Sequence, residues 1–265
     1  CKIYKGATQV NTLGIVDSTM PASAPSITGM TAVRPNGGAL RFSASGSVFT
    51  GAPDQSAELS ATSTGYRLKD DDTVEDYDAN GRLLSITNPG GAQKRTLTYT
   101  SAGKLNKITD ETGRQLTLGY DGSGRLSTLT DPASGVTTYA YDGSGRLSTV
   151  TWPDTKVRTY HYEKSGQIYA LTGVTDENND RYATYDYDSD GRGILSKHAG
   201  DAEKTELVYN SNGTTSVTGP LGAVTTYSFT TVNGHVKQAG QTQPCSSGCG
   251  TSSAALSFDS NGYIA

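Results

Sequence analysis

Carboxylates, aromatic rings and a cysteine pair are the side chains of this sequence that could do chemistry. Asp186-Tyr187-Asp188-Ser189-Asp190-Gly191 spells DxDxDG. Its alternating oxygens resemble the opening of a calcium loop, with Asp186, Asp188 and Asp190 as candidate ligands. The twelfth position is Lys197 rather than Glu, and a solvated turn explains the same spelling. Asp70-Asp71-Asp72 with Glu75 and Asp76 is a second acidic patch. Paired carboxylates for glycoside chemistry must flank a cleft, and no cleft is signalled, so this patch reads as a solvated turn. Cys245 and Cys249 lie five residues apart inclusive, while His161, His198 and His235 are scattered. A metal needs two further soft ligands, so a short-loop disulfide in an oxidising compartment is the favoured reading. Tyr139, Tyr141, Trp152, Tyr160 and Tyr162 form a possible glycan-stacking platform, with ladder packing as the structural alternative. No residues are arranged to mark a Ser-His-Asp triad and no phosphate-cradling loop precedes a helix. The expectation is a protein that is not an enzyme and takes no cofactor.

Those residues must be positioned by something, and composition points to strands and turns. The chain has 265 residues, 34% of them hydrophobic, with 32 Gly and 16 Tyr against 4 Phe and 1 Trp. That argues for many turns, a thin core and half-buried pleated surfaces. A net charge of −4 offers no cationic footprint for nucleic acid. No apolar run reaches the ~18 residues of a membrane span. Cys1 in place of Met is compatible with a processed lipoprotein, a processed chain or a fragment.

The positioning element is a repeat. Tyr120-Asp121-Gly122-Ser123-Gly124-Arg125-Leu126-Ser127-Thr128 returns unchanged at Tyr141 to Thr149, 21 residues on. Looser copies are anchored at Tyr77, Tyr99, Tyr162, Tyr187, Tyr209, Phe229 and Phe258. A glycine follows each anchor in step, from Gly81 to Gly262, as expected where a tight turn needs positive φ. A second turn signal lies half a period away, as in Thr109-Asp110-Glu111-Thr112-Gly113. Two turns per repeat leave two short strands, so each repeat is a β-hairpin and the chain an antiparallel sheet. Tyr139 and Tyr141 share a face, whereas Leu147 and Val150, three apart, fall on opposite faces unless a bulge intervenes. Residues 1–64 are a Ser/Thr/Pro-rich β lead-in, and 65–265 are an array of about nine hairpins, the last incomplete. About 18 strands at ~4.8 Å would close into a ring of only ~14 Å radius, too narrow for a folded passenger.

YDGSGRLSTLTD and YDGSGRLSTVTW resemble the YD repeats of bacterial RHS proteins, found also in toxin-complex C components and animal teneurins. Thr31 to Gly38 and Tyr66 to Thr73 are similar to the segment preceding such arrays. The resemblance implies an all-β spiralling sheet that forms a hollow shell around a toxin. This sequence departs from the pattern in two ways. Such shells use many more repeats than nine, and no DPxGxxxG-like self-cleaving segment occurs, since Asp131-Pro132 is followed by Ala133. The array also stops mid-hairpin, which would leave a strand edge open. The expected role is therefore architectural: a shell segment or an extracellular fibre subunit, secreted or on a bacterial surface. Its partners would be further copies of itself or the rest of a longer RHS chain. A carbohydrate-binding adhesion surface is the alternative.

Overall fold

The computed structural model describes residues 2–5, 29–34, 36–45, 47–70, 72–88, 90–244 and 250–265, and the fold is all-β. Among the described residues the one helical element is a 3-10 turn at Ala199–Asp201. The chain divides into two compact units, Cys1–Val136 and Thr137–Ala265.

Unit 1 holds β1 (Lys2–Lys5), β2 (Gly29–Val33), β3 (Ala39–Ser45), β4 (Val48–Gly51), β5 (Glu58–Thr62), β6 (Gly65–Asp70), β7 (Thr73–Asp78), β8 (Leu83–Thr87), β9 (Lys94–Tyr99), β10 (Leu105–Thr109), β11 (Gln115–Tyr120) and β12 (Leu126–Thr130). Each strand pairs antiparallel with the next, so the unit is a meander. The lead-in strands belong to it: β5 pairs with β6 from Glu58↔Lys69 to Thr62↔Gly65. A packed core gathers Met30, Ala32, Phe42, Ala57, Leu59, Leu68, Tyr77 and Leu83.

Unit 2 takes in most of β13 (Val136–Tyr141), then β14 (Leu147–Thr151), β15 (Val157–His161), β16 (Gly173–Thr175), β17 (Arg181–Tyr187), β18 (Gly193–His198), β19 (Thr205–Tyr209), β20 (Thr215–Thr218), β21 (Val224–Val232), β22 (His235–Gln243) and β23 (Ser252–Ala255). It too is an antiparallel meander.

The bulge left open by the sequence is present, and it decides the faces. Tyr139 pairs with Val150 and Tyr141 with Leu147, leaving Ser148 as the extra residue. Leu147 and Val150 therefore lie on the tyrosine face together. The same one-residue shift recurs after Leu83, Leu105 and Leu126. It sorts the sheet into two chemistries. In unit 1, Leu97↔Ile108↔Leu116 and Leu118↔Leu129 form apolar rows. On the other face Arg67↔Asp76↔Ser85↔Thr96↔Thr109 is a polar row.

Candidate functional site

The chemistry of the repeat is spent on joining one hairpin to the next. The regular anchor turns start as a hydrogen-bonded reversal: the Gly124 N–H donates to the Asp121 carbonyl at 2.8 Å and the Asp121 N–H to the Arg125 carbonyl at 2.9 Å. This is a type I turn followed by a left-handed residue. The anchor glycines from Gly81 to Gly262 all have φ between 75° and 83°. The Asp121 carboxylate then accepts from the Ser123 N–H at 3.0 Å, the Arg125 N–H at 2.8 Å and Arg125 Nε at 2.8 Å. These donors, led by the Arg125 N–H, hold the Asp121 carboxyl below the usual range. Asp78, Asp142 and Asp188 repeat the arrangement with Arg82, Arg146 and Arg192.

A basic residue of one hairpin, usually the one that closes its turn, covers the ring of the next. Within unit 1, Arg82 lies 5.2 Å from the centre of Tyr99, and Lys104 lies 5.0 Å from that of Tyr120. Within unit 2, Arg146 covers Tyr162 at 4.6 Å, Arg192 covers Tyr209 at 4.3 Å and Lys237 covers Phe258 at 5.2 Å. Three of the covered phenols donate back to a main-chain carbonyl of the previous hairpin. Tyr99 reaches Leu83 at 2.6 Å, Tyr120 reaches Leu105 at 2.7 Å and Tyr209 reaches Gly193 at 3.0 Å. Lys104 Nζ also donates to the Gly124 carbonyl, and a Cβ at Gly124 would collide with that ammonium. Where the repeat is regular, Asp, Gly, a basic residue and Tyr thus form one clamp between successive hairpins.

Unit 1 contains a second polar arrangement inside its core. Glu75 is buried, and its Oε2 accepts from Arg34 Nη1 at 2.6 Å and from the Tyr77 hydroxyl. Burial, then the Glu75 hydrogen bond, pushes the Tyr77 phenol far above its ordinary value. Burial opposes the charge on Arg34, and Glu75 more than offsets it, so that pKa rises. This corrects the reading of the acidic patch as a solvated turn. Asp72 is exposed, but Glu75 points into the core while Asp76, on the opposite face of β7, binds Arg67 at 2.7 Å and Ser85 at 3.1 Å. Asp71 lies outside the described residues.

The structure does not gather Asp186, Asp188 and Asp190 into a metal site: among the described residues no group of three such ligands converges. Asp186 binds Lys164 at 2.7 Å, Asp188 is held by its turn and Arg192, and Asp190 lies 3.1 Å from Arg192. Cys1, Cys245 and Cys249 fall outside the described residues. Of the proposed platform, Tyr139, Tyr141, Tyr160 and Tyr162 are half-buried, and Tyr162 is covered by Arg146. Trp152 is 37% exposed, with its Nε1–H donated to Glu177 at 2.7 Å. Phe229 sits within β21, since the turn of its hairpin is Asn233-Gly234. Sequence reasoning missed the Arg34–Glu75 pair, because no local signal joins residues 41 apart. It also missed the ring-covering cations, although Arg82, Lys104, Arg146 and Arg192 each stand five residues after an anchor tyrosine.

The most irregular hairpin is rebuilt around a different cluster. Gln167 stands where Arg is usual, and its Nε2 donates to the Asp188 carbonyl. Glu163, in the Asp position, pairs with Arg181 at 2.8 Å and accepts from Thr172 at 3.0 Å. Arg181 first, then Thr172, lowers the Glu163 pKa to about 2. His161 Nε2 lies 2.8 Å from Thr175 Oγ1, and burial followed by Arg181 lowers its pKa.

Comparison with known proteins places this architecture. Residues 54–218 match the family described as Teneurin YD-shell. No curated protein sequence matches the chain. A crystal structure of TcdB2-TccC3-TEV is similar in fold, with a TM-score of 0.56 and 14% identity over 89% of this chain. A TcdB2-TccC3-Cdc42 crystal structure gives 0.54 and 15% over 88%. A Tc holotoxin pore of Photorhabdus luminescens gives 0.54 and 14% over 84%. The chain spans about 15% of the length of these structures, so it corresponds to a small part of each. A match over more than half the chain, on the same hairpins that carry the clamp, is decisive: this chain belongs to the Teneurin YD-shell family of RHS/YD-repeat proteins.

Proposed function

We propose that this chain is a length of wall from a larger RHS-type shell, secreted or displayed at a bacterial surface. One observation carries the reading: the cations and phenols of successive repeats are consumed in binding one repeat to the next. A surface built this way is a structural module rather than a catalyst. The similarity in fold to the TcdB2-TccC3 structures and to a Tc holotoxin pore supports a shell segment over a fibre subunit. In this reading residues 1–64 lead into an array over 65–265, and neighbouring strands come from the rest of a longer chain. Cys245 and Cys249 close a short loop as a disulfide in an oxidising compartment.

The shell and fibre readings separate in solution. Light scattering and negative-stain imaging of the purified chain over rising concentration are expected to show monomers. Filaments that lengthen with concentration would overturn the shell reading in favour of a polymer built by strand addition. A thiol titration expected to find Cys245 and Cys249 unreactive until reduced tests the disulfide.

A further inference from the structure

The polar face of unit 1 carries a groove that the repeat clamp does not use. It has a volume of about 440 Å³ and lies between the Thr62-Ser63-Thr64 turn and the row Arg67, Asp76, Ser85 and Thr96, with Lys94 at its edge. That volume falls in the range of small-molecule sites. We propose that it binds a carboxylated sugar of the uronate type.

The charges select the ligand. Asp76 is ionised and already paired with Arg67 at 2.7 Å, and it accepts from the Ser85 hydroxyl at 3.1 Å. A carboxylate has about four acceptor positions, so two remain for ligand hydroxyls. Arg67 uses Nε on Asp76, and its side chain is 53% exposed, which leaves its outer N–H groups to the groove. Lys94 is exposed and forms no salt bridge or hydrogen bond among the described residues, while its charge acts on the Asp76 carboxylate across the groove. The groove therefore offers one uncompensated positive charge beside a fixed carboxylate and several hydroxyls. A compact dianion such as phosphate meets too little positive charge and is repelled by Asp76. A neutral sugar leaves Lys94 unused. A uronate places its carboxylate at Lys94 and Arg67 and its hydroxyls toward Asp76 and Thr96, while the buried Ser85 holds Asp76 in place. The site is remote in sequence from the aromatic platform at Tyr139–Tyr162, and it rests on polar groups rather than on ring stacking.

The test is a titration of the whole chain with sodium glucuronate, glucose and sodium acetate, followed by amide NMR shifts. Glucuronate is expected to bind saturably, with shifts centred on residues 62–67, 76, 85 and 94–96, and at least tenfold more tightly than glucose or acetate. Lys94→Gln changes an exposed side chain and leaves the fold intact. It is expected to weaken glucuronate roughly tenfold, the scale of one charge-assisted hydrogen bond, with no change in the thermal midpoint. Acetate binding as well as glucuronate would overturn the sugar assignment. Glucose binding as well would overturn the charge argument. No saturable shift with any of the three, or unchanged affinity in Lys94→Gln, would overturn the site.

Discussion

Unit 1 stabilises one meander in two different ways. From β2 to β8 the strands enclose a core in which Ala32 and Leu68 are 0% exposed and Tyr77 is 1% exposed. From β9 to β12 no residue is buried; every side chain is half-buried or exposed. Both stretches are antiparallel meanders of short strands, so the type of backbone pairing does not distinguish them. The first stretch buries apolar area and a charged pair. The second holds no buried residue, with only the edge of the core reaching Leu97, and relies on turn carboxylates, covered rings and phenol-to-carbonyl bonds. The lesson is that a YD sheet propagates without a second layer, provided each hairpin brings its own clamp.

The sharpest way to break this comparison is to attack the core where it is charged. Glu75→Ala leaves the largely buried Arg34 guanidinium without its 2.6 Å partner and Tyr77 without an acceptor. Removing one member of a buried ion pair costs about 3–5 kcal/mol. Chemical denaturation is expected to show that loss for Glu75→Ala and a smaller one for Glu75→Gln, which keeps an acceptor for Tyr77. A loss below about 1 kcal/mol would mean that the pair is solvated and the core ends short of it.

Acid should probe the thin stretch, whose turns are held by carboxylates that accept several hydrogen bonds each. The Asp110 pKa is lowered to about 2, first by the Thr112 hydroxyl and then by Arg114, and in unit 2 Glu163 is also lowered to about 2 by Arg181. Their unfolded values lie near 3.9 and 4.3. A depressed folded pKa contributes stability that is complete above the unfolded value and disappears as pH falls through the folded one. The thermal midpoint should hold from neutral pH to about 5, then fall between about 4 and 2. Amide exchange should accelerate first in β9–β12. A flat midpoint down to pH 2 would show that the turn carboxylates do not support the sheet.

Much of this was legible in the sequence, and the limits have physical causes. The period and the glycine positions predicted the hairpins, because positive φ leaves a strict residue signature. The fold class followed from two turns per repeat. The pairing of Leu147 with Tyr141 was not legible, since a bulge shifts register without changing composition. Glu75 was misread because the acidic run hides a strand alternation. Its partner Arg34 arrives from β2's end, a contact set by topology rather than by spacing. The DxDxDG spelling misled in the opposite direction, since the turn itself uses Asp188 and the cations use the rest.

The clamp predicts a smaller, coupled effect in the stretch without a core. Tyr120→Phe removes the 2.7 Å bond to the Leu105 carbonyl, at about 1 kcal/mol. Lys104→Ala removes the cation over the same ring, worth about 0.5–1 kcal/mol at a half-exposed site. The informative number is the interaction in a Lys104→Ala, Tyr120→Ala cycle. Removing both should cost less than the sum of the single losses by roughly 0.5–1 kcal/mol, because each variant already breaks the shared contact. Strict additivity would show that ring and cation are neighbours without being partners.

The smallest effect tests the turns alone, and its sign is opposite. Two turns flank β14: one uses Asp142 and Gly145, with φ of 80°, and the other runs from Trp152 to Lys156. The second has the same reversal, with the Thr155 N–H donating to the Trp152 carbonyl at 2.9 Å, but Trp152 has no side-chain oxygen to cap it. Thr155 occupies the glycine position with φ of 69°, where a β-branched residue is strained. Left-handed backbone costs an ordinary residue about 1–2 kcal/mol, and glycine returns roughly 0.5–1 kcal/mol of that through the freedom of the unfolded chain. Thr155→Gly should therefore stabilise unit 2 by up to ~1 kcal/mol, read as a higher denaturation midpoint. The matching change at the other turn, Gly145→Thr, should destabilise by a similar amount. If Thr155→Gly instead lowers stability, the threonine side chain is holding a contact worth more than its backbone strain, and the two turns are not equivalent.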